Sequence, residues 1–227
     1  GRRGAAIVGG LGYGRGGVLP GRGGGEAQFR HRVRTVPGQG RIVVNARDEA
    51  LARVLTRGCW SEVVRFGSLR EEPGALRARG EPHAFDVLRG AMKIGRVEWA
   101  LIGEHNQLNA LAAIAAAEHV GVNPEDAAAA LGDFKNAKRR METLGEVGGV
   151  TVYDDFAHHP TAMRTTVGGL RQRVGTEHRV LAVFEPRSNT MKLGTMKGQL
   201  PWSLEEADLS LCLPGNYGWD ARAALAP

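Results

Sequence analysis

The sequence has 227 residues, which allows one or two domains, and 42% of them are hydrophobic, which is enough for buried cores. It contains no apolar run of about 18 residues, and glycines interrupt its N-terminal apolar residues, so we expect neither a membrane-spanning helix nor a secretory signal. The net charge of +6 comes entirely from residues 1–40, which hold seven arginines and one acidic residue; the remainder holds 23 basic and 23 acidic residues.

This distribution of charge argues against a nucleic-acid partner, because a basic binding face also needs interleaved aromatic residues. The arginine-rich start keeps DNA binding open as an alternative. Cys59 and Cys212 are far apart and lack the spacing of a metal site, which is typical of a protein from a reducing compartment. We therefore expect a cytoplasmic monomer without a membrane or nucleic-acid partner.

Residues 1–25 contain twelve glycines, four arginines and no acidic residue. Glycine loops can bind phosphate, but the G-x-x-x-x-G-K-[ST] pattern is missing, since no lysine precedes Lys93. The composition instead predicts a flexible segment. A frameshift in GC-rich coding DNA would also produce it, and this stays a hypothesis.

The part of the chain that follows alternates short strands and helices. RIVVN (41–45) and EVVRF (62–66) are β-branched, as buried strands are, and a helix over 48–57 lies between them. The residues 67–92 favour a hairpin, and VEWALIG (97–103) predicts a strand that runs directly into the next helix. We therefore expect an α/β fold.

A polar cluster opens the alanine-rich helix predicted over residues 103–119. His105, Asn106 and Asn109 lie on its first turns, where unpaired backbone N–H groups and the helix dipole favour polar ligands. An asparagine amide both donates and accepts hydrogen bonds, so Asn106 and Asn109 could bind the edge of a purine from one helix face. A plain helix cap would explain the same residues.

A charged segment over residues 134–146 separates two patterned blocks, and we place a domain boundary near residue 137. Within this segment, Arg140 could stack on an adenine or pair with a phosphate, and Arg139 competes for that role. A solvated basic hinge is the plain alternative.

The second block predicts a doubly wound sheet. Strands are expected at 150–155, 179–186 and 208–214, with helices at 160–174 and around 195–206. Strands that alternate with helices imply a parallel sheet with right-handed crossovers, and ligands bind beyond the carboxyl ends of such strands.

Polar residues follow the first of these strands. Asp155 ends it, and a carboxylate there can accept hydrogen bonds from two ribose hydroxyls. His158 and His159 come next. They could bind zinc, but no third ligand is evident, and capping of the following helix is the stronger alternative.

Polar residues also follow the second strand. The guanidinium of Arg187 suits a carboxylate, and Ser188 and Asn189 offer short polar contacts. A polar turn without chemistry is the alternative here.

Several segments together resemble the Mur ligases, ATP-dependent amide-forming enzymes of peptidoglycan metabolism. GEHNQLNALAAIAAA is similar to the H-N-x-x-N helix of that family, and KRRME is similar to its linker motif. VYDDFAHHPTA, FEPRSNTMKLG, FRHRVRTVPGQG and RGCW are similar to one branch, the murein peptide ligases. The resemblance covers residues 28–227 and implies a remnant of the central ATPase domain (26–136) followed by a partial Rossmann-like C-terminal domain with a parallel sheet (137–227).

The resemblance also implies roles for individual residues. Contact with the adenosine of ATP is implied for His105, Asn106, Asn109, Arg140, Asp155 and His158. Contact with the incoming peptide is implied for Arg187, Ser188 and Asn189. We expect Asn109 and Asp155 to approach the same adenosine from two lobes.

The chemistry that the resemblance implies uses ATP and Mg²⁺ to phosphorylate the carboxylate of UDP-N-acetylmuramate. The amine of L-alanyl-γ-D-glutamyl-meso-diaminopimelate then attacks the acyl phosphate. The phosphate loop, the magnesium ligands, a carbamylated lysine and the UDP-binding domain of the family have no counterpart in this sequence, so we expect the chain alone to be inactive. A UDP-N-acetylmuramate–L-alanine ligase and a non-catalytic nucleotide-binding module stay open as alternatives.

Overall fold

The computed structural model describes residues 5–8, 21–186, 189–213, 215 and 217–225. The chain divides into two compact units, of which the first comprises Gly1–Leu101 and His105–Phe134 and the second comprises Ile102–Glu104 and Lys135–Pro227. Among the described residues, no helix has both the length and the apolarity needed to cross a bilayer.

Among the described residues, six strands form the sheet of the first unit, and their order in space equals their order in the sequence. They are β1 (Ala5–Val8), β2 (Arg41–Asn45), β3 (Glu62–Phe66), β4 (Leu76–Glu81), β5 (Ala84–Arg89) and β6 (Met92–Glu98). The first four run parallel to one another, whereas β4, β5 and β6 form an antiparallel meander. The predicted strands 41–45 and 62–66 and the predicted hairpin are confirmed.

The segment predicted to be flexible, residues 1–25, contains regular structure. Its apolar run Ala5–Val8 pairs in parallel with β2, and helix α1 (Gly21–Thr35) begins within it. This apolar tetrapeptide forms ladder hydrogen bonds with the edge of β2. The high glycine content of the segment gave no indication of this pairing. Residues 1–4 and 9–20 lie outside the described residues.

Helices cover both faces of this sheet. Successive residues of a strand point to opposite faces, so neighbouring residues of β2 contact different helices. Val43 of β2 belongs to the core formed with the buried alanines and leucines of α3 (Glu104–His119). Its neighbour Ile42 packs instead with Val33 of α1 and Val54 of α2 (Glu49–Thr56).

The helix after α3, α4 (Pro124–Ala130), lies directly on β6. A Cβ atom on Gly95 would lie 2.8 Å from the Cβ of Ala128, so only glycine permits this approach.

A carboxylate near the end of α3 joins the helix to the sheet. Glu118 accepts hydrogen bonds from Arg41 of β2 (2.8 Å) and, through both of its oxygens, from Arg89 of β5 (2.8 and 2.9 Å). Burial alone would raise the pKa of Glu118, but the hydrogen bonds from Arg89 and Arg41 outweigh burial and lower it.

The prediction of a strand over residues 97–103 is wrong for the last five residues, because β6 ends at Glu98. The indole Nε1 of Trp99 donates to the carbonyl of Pro82 (2.8 Å), and its backbone N donates to that of His83 (3.0 Å). These bonds hold Trp99 against the β4–β5 turn, and the chain continues irregularly from there to α3.

In the described part of the second unit there are two separate two-stranded sheets. An antiparallel hairpin joins β7 (Glu142–Val147) and β8 (Val150–Asp154), and a parallel pair joins β9 (Leu181–Phe184) and β10 (Leu209–Cys212). The helices are α5 (Pro160–Val174), α6 (Asn189–Lys192), α7 (Leu200–Leu204) and α8 (Ala221–Leu225). The α/β class is confirmed, but β8 does not join the parallel pair as expected, since its ladder hydrogen bonds go to β7.

The core of the second unit lies between α5 and the parallel pair. Met163 and Val167 of α5 pack with Val180 and with Leu200 and Leu204 of α7. This core holds the end of β9 in place relative to α5. Some candidate site residues directly follow β9, and others directly precede α5.

Candidate functional site

The first turns of α3 carry polar residues in positions that a ligand can reach. His105 and Asn106 are half-buried, and Asn109 is exposed. The intervening Gln107 is buried, and its Nε2 donates to the carbonyl of Gly80 in β4 (3.0 Å). Gln107 therefore anchors the helix start, where backbone N–H groups and the helix dipole favour an electron-rich ligand.

Asp155 directly follows β8, and its half-buried carboxylate joins three segments of the chain. Oδ1 accepts from the backbone N of Ala157 (2.8 Å) and from Oγ1 of Thr166 in α5 (3.2 Å), and Oδ2 accepts from the backbone N of Met141 (2.9 Å). A carboxylate has about four lone-pair positions, so one position stays available on Oδ2. Asp155 can accept one further hydroxyl, whereas the predicted contact with two requires the release of one existing bond.

The turn before β7 holds two non-glycine residues in the left-handed region, Arg139 (φ 59°) and Met141 (φ 51°). Such residues cost free energy and persist only where surrounding contacts hold them. Besides the Asp155 bond, the backbone N of Phe156 donates to the carbonyl of Arg139 (2.8 Å), and Nε of Arg139 donates to Asp154 (3.1 Å). The Arg139 guanidinium also lies 5.2 Å from the centroid of the Phe156 ring.

The two arginines proposed for one role therefore differ in their contacts. Arg139 is occupied by Asp154 and Phe156, whereas Arg140 is exposed, and no described residue pairs with its guanidinium. Of the two, Arg140 is the one whose charge is available to a ligand.

The two adjacent histidines after β8 have different structural roles. His159 is the N-cap of α5, and its Nδ1 accepts from the backbone N of Thr161 (3.3 Å), so the capping alternative is confirmed for it. Burial, together with the neighbouring His158, lowers the pKa of His159. His158 is exposed, with its ring centroid 5.0 Å from that of Phe156.

The loop after β9 is only partly described. Arg187 and Ser188 lie outside the described residues, and Asn189 is the first residue of α6. Trp219 contacts the far end of this helix: its Nε1 donates to the carbonyl of Met191 (2.8 Å). A Cβ on Gly194 (φ 68°) would lie 2.6 Å from its ring, so the contact requires glycine.

Sequence reasoning missed the residues that hold these segments in place. Thr166 and Trp219 belong to none of the motifs, and their contacts join positions 11 and 28 residues apart. Phe156 lies within VYDDFAHHPTA, but no local pattern indicates its contact with Arg139, 17 residues earlier. The aromatic pair Tyr217 and Trp219, with ring centroids 5.7 Å apart, is the one signal that could have indicated an ordered segment there.

The family resemblance implies magnesium. In the described part of the chain, no three His, Cys, Asp or Glu side chains converge on a position where a metal ion could bind. The carboxylates of Asp154, at the end of β8, and of Asp155, directly after it, accept hydrogen bonds from guanidinium and backbone N–H groups instead. No reaction step is therefore assigned to a metal held by these residues.

Comparison with known proteins identifies the second unit. Residues 139–225 match the family described as "Mur ligase, glutamate ligase domain". The UDP-N-acetylmuramate–L-alanyl-γ-D-glutamyl-meso-2,6-diaminoheptandioate ligase of Escherichia coli is 49% identical over 210 residues, which is 89% of this chain and 45% of that protein. A UDP-N-acetylmuramate–L-alanine ligase of Rubrobacter xylanophilus is 38% identical over 168 residues, 73% of this chain and 37% of that protein.

Solved structures agree with the sequence comparison. The crystal structure of a murein peptide ligase from Psychrobacter arcticus superposes with a TM-score of 0.62 at 36% identity, covering 88% of this chain and 43% of that one. The chain thus spans less than half the length of each of these three relatives.

Proposed function

Since this chain belongs to the Mur ligase family, we propose that it is part of an ATP-dependent ligase that joins UDP-N-acetylmuramate to L-alanyl-γ-D-glutamyl-meso-diaminopimelate in the cytoplasm. The observation that carries this proposal is the 49% identity, over 89% of the chain, with the Escherichia coli enzyme of that name. Identity to the L-alanine ligase is lower, at 38% over a shorter stretch, which makes it the second candidate.

The proposed reaction has two steps. The muramate carboxylate attacks the γ-phosphorus of ATP, which gives an acyl phosphate and ADP. The free amine of the tripeptide then attacks the acyl carbon, the phosphate leaves, and the amine loses a proton to give the amide. Phosphoryl transfer of this kind depends on positioning and on neutralising charge.

The residues of this chain supply nucleotide positioning in the proposal. Asn106 and Asn109 offer amides to the adenine, and Asp155 offers its one remaining lone pair to a ribose hydroxyl. The exposed guanidinium of Arg140 offers a cation for the base or a phosphate. We include His105, which precedes Asn106 in the sequence, and His158, which follows three residues after Asp155, because the family resemblance assigns them to the nucleotide as well.

The acceptor side of the proposal rests on the loop after β9. Arg187, Ser188 and Asn189 follow the carboxyl end of a parallel strand, where ligands of such sheets bind. The tripeptide carries several carboxylates, and a guanidinium binds a carboxylate through two parallel hydrogen bonds.

Acceptor specificity tests the choice between the two ligases. We would replace the matching domain of the Escherichia coli relative by residues 139–225 and measure phosphate release with the tripeptide and with L-alanine. Activity with the tripeptide, lost on Arg187→Ala and retained in a matched Arg173→Ala variant, supports the proposal. Activity with L-alanine alone would transfer the assignment to the second candidate.

The purified 227-residue chain provides a separate test. It lacks a Gly-Lys-Thr phosphate loop, so we expect no ADP formation that depends on both substrates. We expect it to bind ATP weakly in titration calorimetry, and Arg140→Ala should reduce that binding more than Arg139→Ala. Equal effects of the two variants would remove Arg140 from the proposed site, and turnover by the chain would contradict the expected inactivity.

A further inference from the structure

We propose that Asn136 is a positioning residue for Arg140: its side-chain amide binds the peptide group that follows this arginine and thereby fixes the base from which the guanidinium reaches a nucleotide. The inference rests on the proposed role of Arg140 in ATP binding. It adds to that role a residue that belongs to none of the motifs recognised in the sequence.

The turn before β7 differs from the turn that joins β7 to β8. That second turn passes through Gly148 and Gly149, with φ of 59° and 78°, which glycine adopts without strain. The residues on either side of Arg140 have a similar φ, but they are Arg139 and Met141, for which this conformation costs free energy. Residues with side chains make a turn stiffer than glycines do. The backbone around Arg140 is therefore held more rigidly than a simple reversal of the chain requires.

Both neighbours of Arg140 are held by hydrogen bonds to other segments. The backbone N of Arg139 donates to Oε2 of Glu142 (2.9 Å), the first residue of β7. The carbonyl of Arg139 and the backbone N of Met141 are bonded to the two residues that follow β8, as described above. These three bonds fix the peptide chain before and after Arg140.

Asn136 supplies the hydrogen bond to Arg140 itself. Its Nδ2 donates to the carbonyl of Arg140, and its Oδ1 accepts from the backbone N of Ala137 (3.0 Å). Because both ends of the amide are bonded, the asparagine side chain is held in one orientation. The carbonyl of Arg140 and the backbone N of Met141 belong to one peptide group, so Asn136 and Asp155 bind this group from its two sides.

The guanidinium of Arg140 is the part of this turn that none of these bonds uses. It is exposed, and no described residue pairs with it, whereas Arg139 is bound to Asp154 and Phe156. An arginine side chain loses rotational freedom when it binds a ligand, and a backbone that is fixed beforehand adds no further loss. The hydrogen bond from Asn136 therefore favours binding at Arg140 without contacting the ligand.

The test measures ATP binding by titration calorimetry to the 227-residue chain and to the variants Asn136→Ala, Arg140→Ala and their combination. Arg140→Ala should weaken binding about fivefold, as for the loss of one exposed charged contact, and Asn136→Ala about threefold. The double variant should bind as Arg140→Ala does, because Asn136 acts only through that arginine. A purely structural role of Asn136 would instead give two losses that add.

Gln172→Ala is the matched control, since it removes an exposed amide from α5 of the same unit, and it should leave ATP affinity unchanged. The NMR signal of the Arg140 Nε–H group gives a second readout. On addition of ATP it should shift in the wild type and shift less in Asn136→Ala.

The outcomes separate this inference from the proposed function. If wild type and Asn136→Ala bind ATP equally, or if the losses add in the double variant, the positioning role is overturned and Arg140 stays in the nucleotide site. If none of the chains binds ATP and the Arg140 signal does not move, the nucleotide site itself is refuted, and the role of Asn136 with it.

Discussion

Replacing Asp155 by asparagine tests whether this carboxylate holds the end of β8, the turn before β7 and α5 together. The asparagine oxygen can still accept from Ala157 and Thr166, but its amino group then faces the backbone N–H of Met141. The variant loses one hydrogen bond to a charged acceptor, worth about 1.5–3 kcal/mol, and weakens the other two. We expect the free energy of unfolding to fall by about 2–3 kcal/mol, because the carboxylate is half-buried.

A loss of this size should lower the melting temperature of the second unit by about 8–24 °C, given roughly 4–8 °C per kcal/mol for a domain of this size. The strained turn should also open locally, because Met141 and Arg139 keep their left-handed conformations only while they are held. Thermal denaturation followed by circular dichroism, with hydrogen exchange of the 139–157 region, measures both effects.

The matched control is Asp154→Asn. It removes an ion pair with Arg139 in which the two side chains are 35% and 51% exposed, and such pairs contribute at most about 1 kcal/mol. If Asp155→Asn destabilises the unit no more than this control does, or if the Met141 amide stays protected, the role assigned to Asp155 is refuted.

Three further predictions concern other parts of the chain. Glu118→Gln should lower the free energy of unfolding, measured in urea, by about 2 kcal/mol, because it leaves two half-buried guanidinium groups with a neutral partner. A decrease of less than about 0.5 kcal/mol would contradict this prediction. Trp219→Phe should accelerate amide exchange in residues 189–194, because it removes one hydrogen bond to α6. Trp202→Phe, at an exposed position, should leave this exchange unchanged. Equal exchange rates in the two variants would contradict the prediction. The hydrogen bond from Lys93 is the main cause that lowers the pKa of Asp86 from 3.8 to about 2, so the carboxylate stabilises the fold above about pH 4 and loses this effect as pH falls towards 2. The stability difference between the wild type and Asp86→Asn should therefore shrink across that interval, and a constant difference would exclude the linkage.

Local signals allowed much of the fold to be predicted from the sequence. Asp48 marks the start of α2 because its carboxylate accepts from the backbone N of Ala50 and Leu51, a pattern that involves neighbours in the chain. Strands β2 and β3 and helix α5 were recognisable for the same reason. Strand partners were not, since β8 shows the same alternation whether it pairs with β7 or with a parallel neighbour.

The end of β6 shows why another boundary was missed. Residues 97–103 are apolar enough for a strand, but Trp99 gains two hydrogen bonds by turning towards Pro82 and His83. These partners are 16 and 17 residues away in the sequence, so no local sequence pattern indicates the two hydrogen bonds. Tertiary contacts of this kind decide where a strand ends when propensity is neutral.

The structural and the ligand-binding interpretations of Asp155 do not exclude each other. A carboxylate with three accepted hydrogen bonds is fixed in position and orientation, and a group that is already fixed loses little further freedom when a ligand arrives. The bonds from Met141 and Ala157 therefore prepare the remaining lone pair of Oδ2 for one hydroxyl at no additional ordering cost. The proposed contact of Asp155 with a ribose hydroxyl is therefore compatible with its structural role at the end of β8.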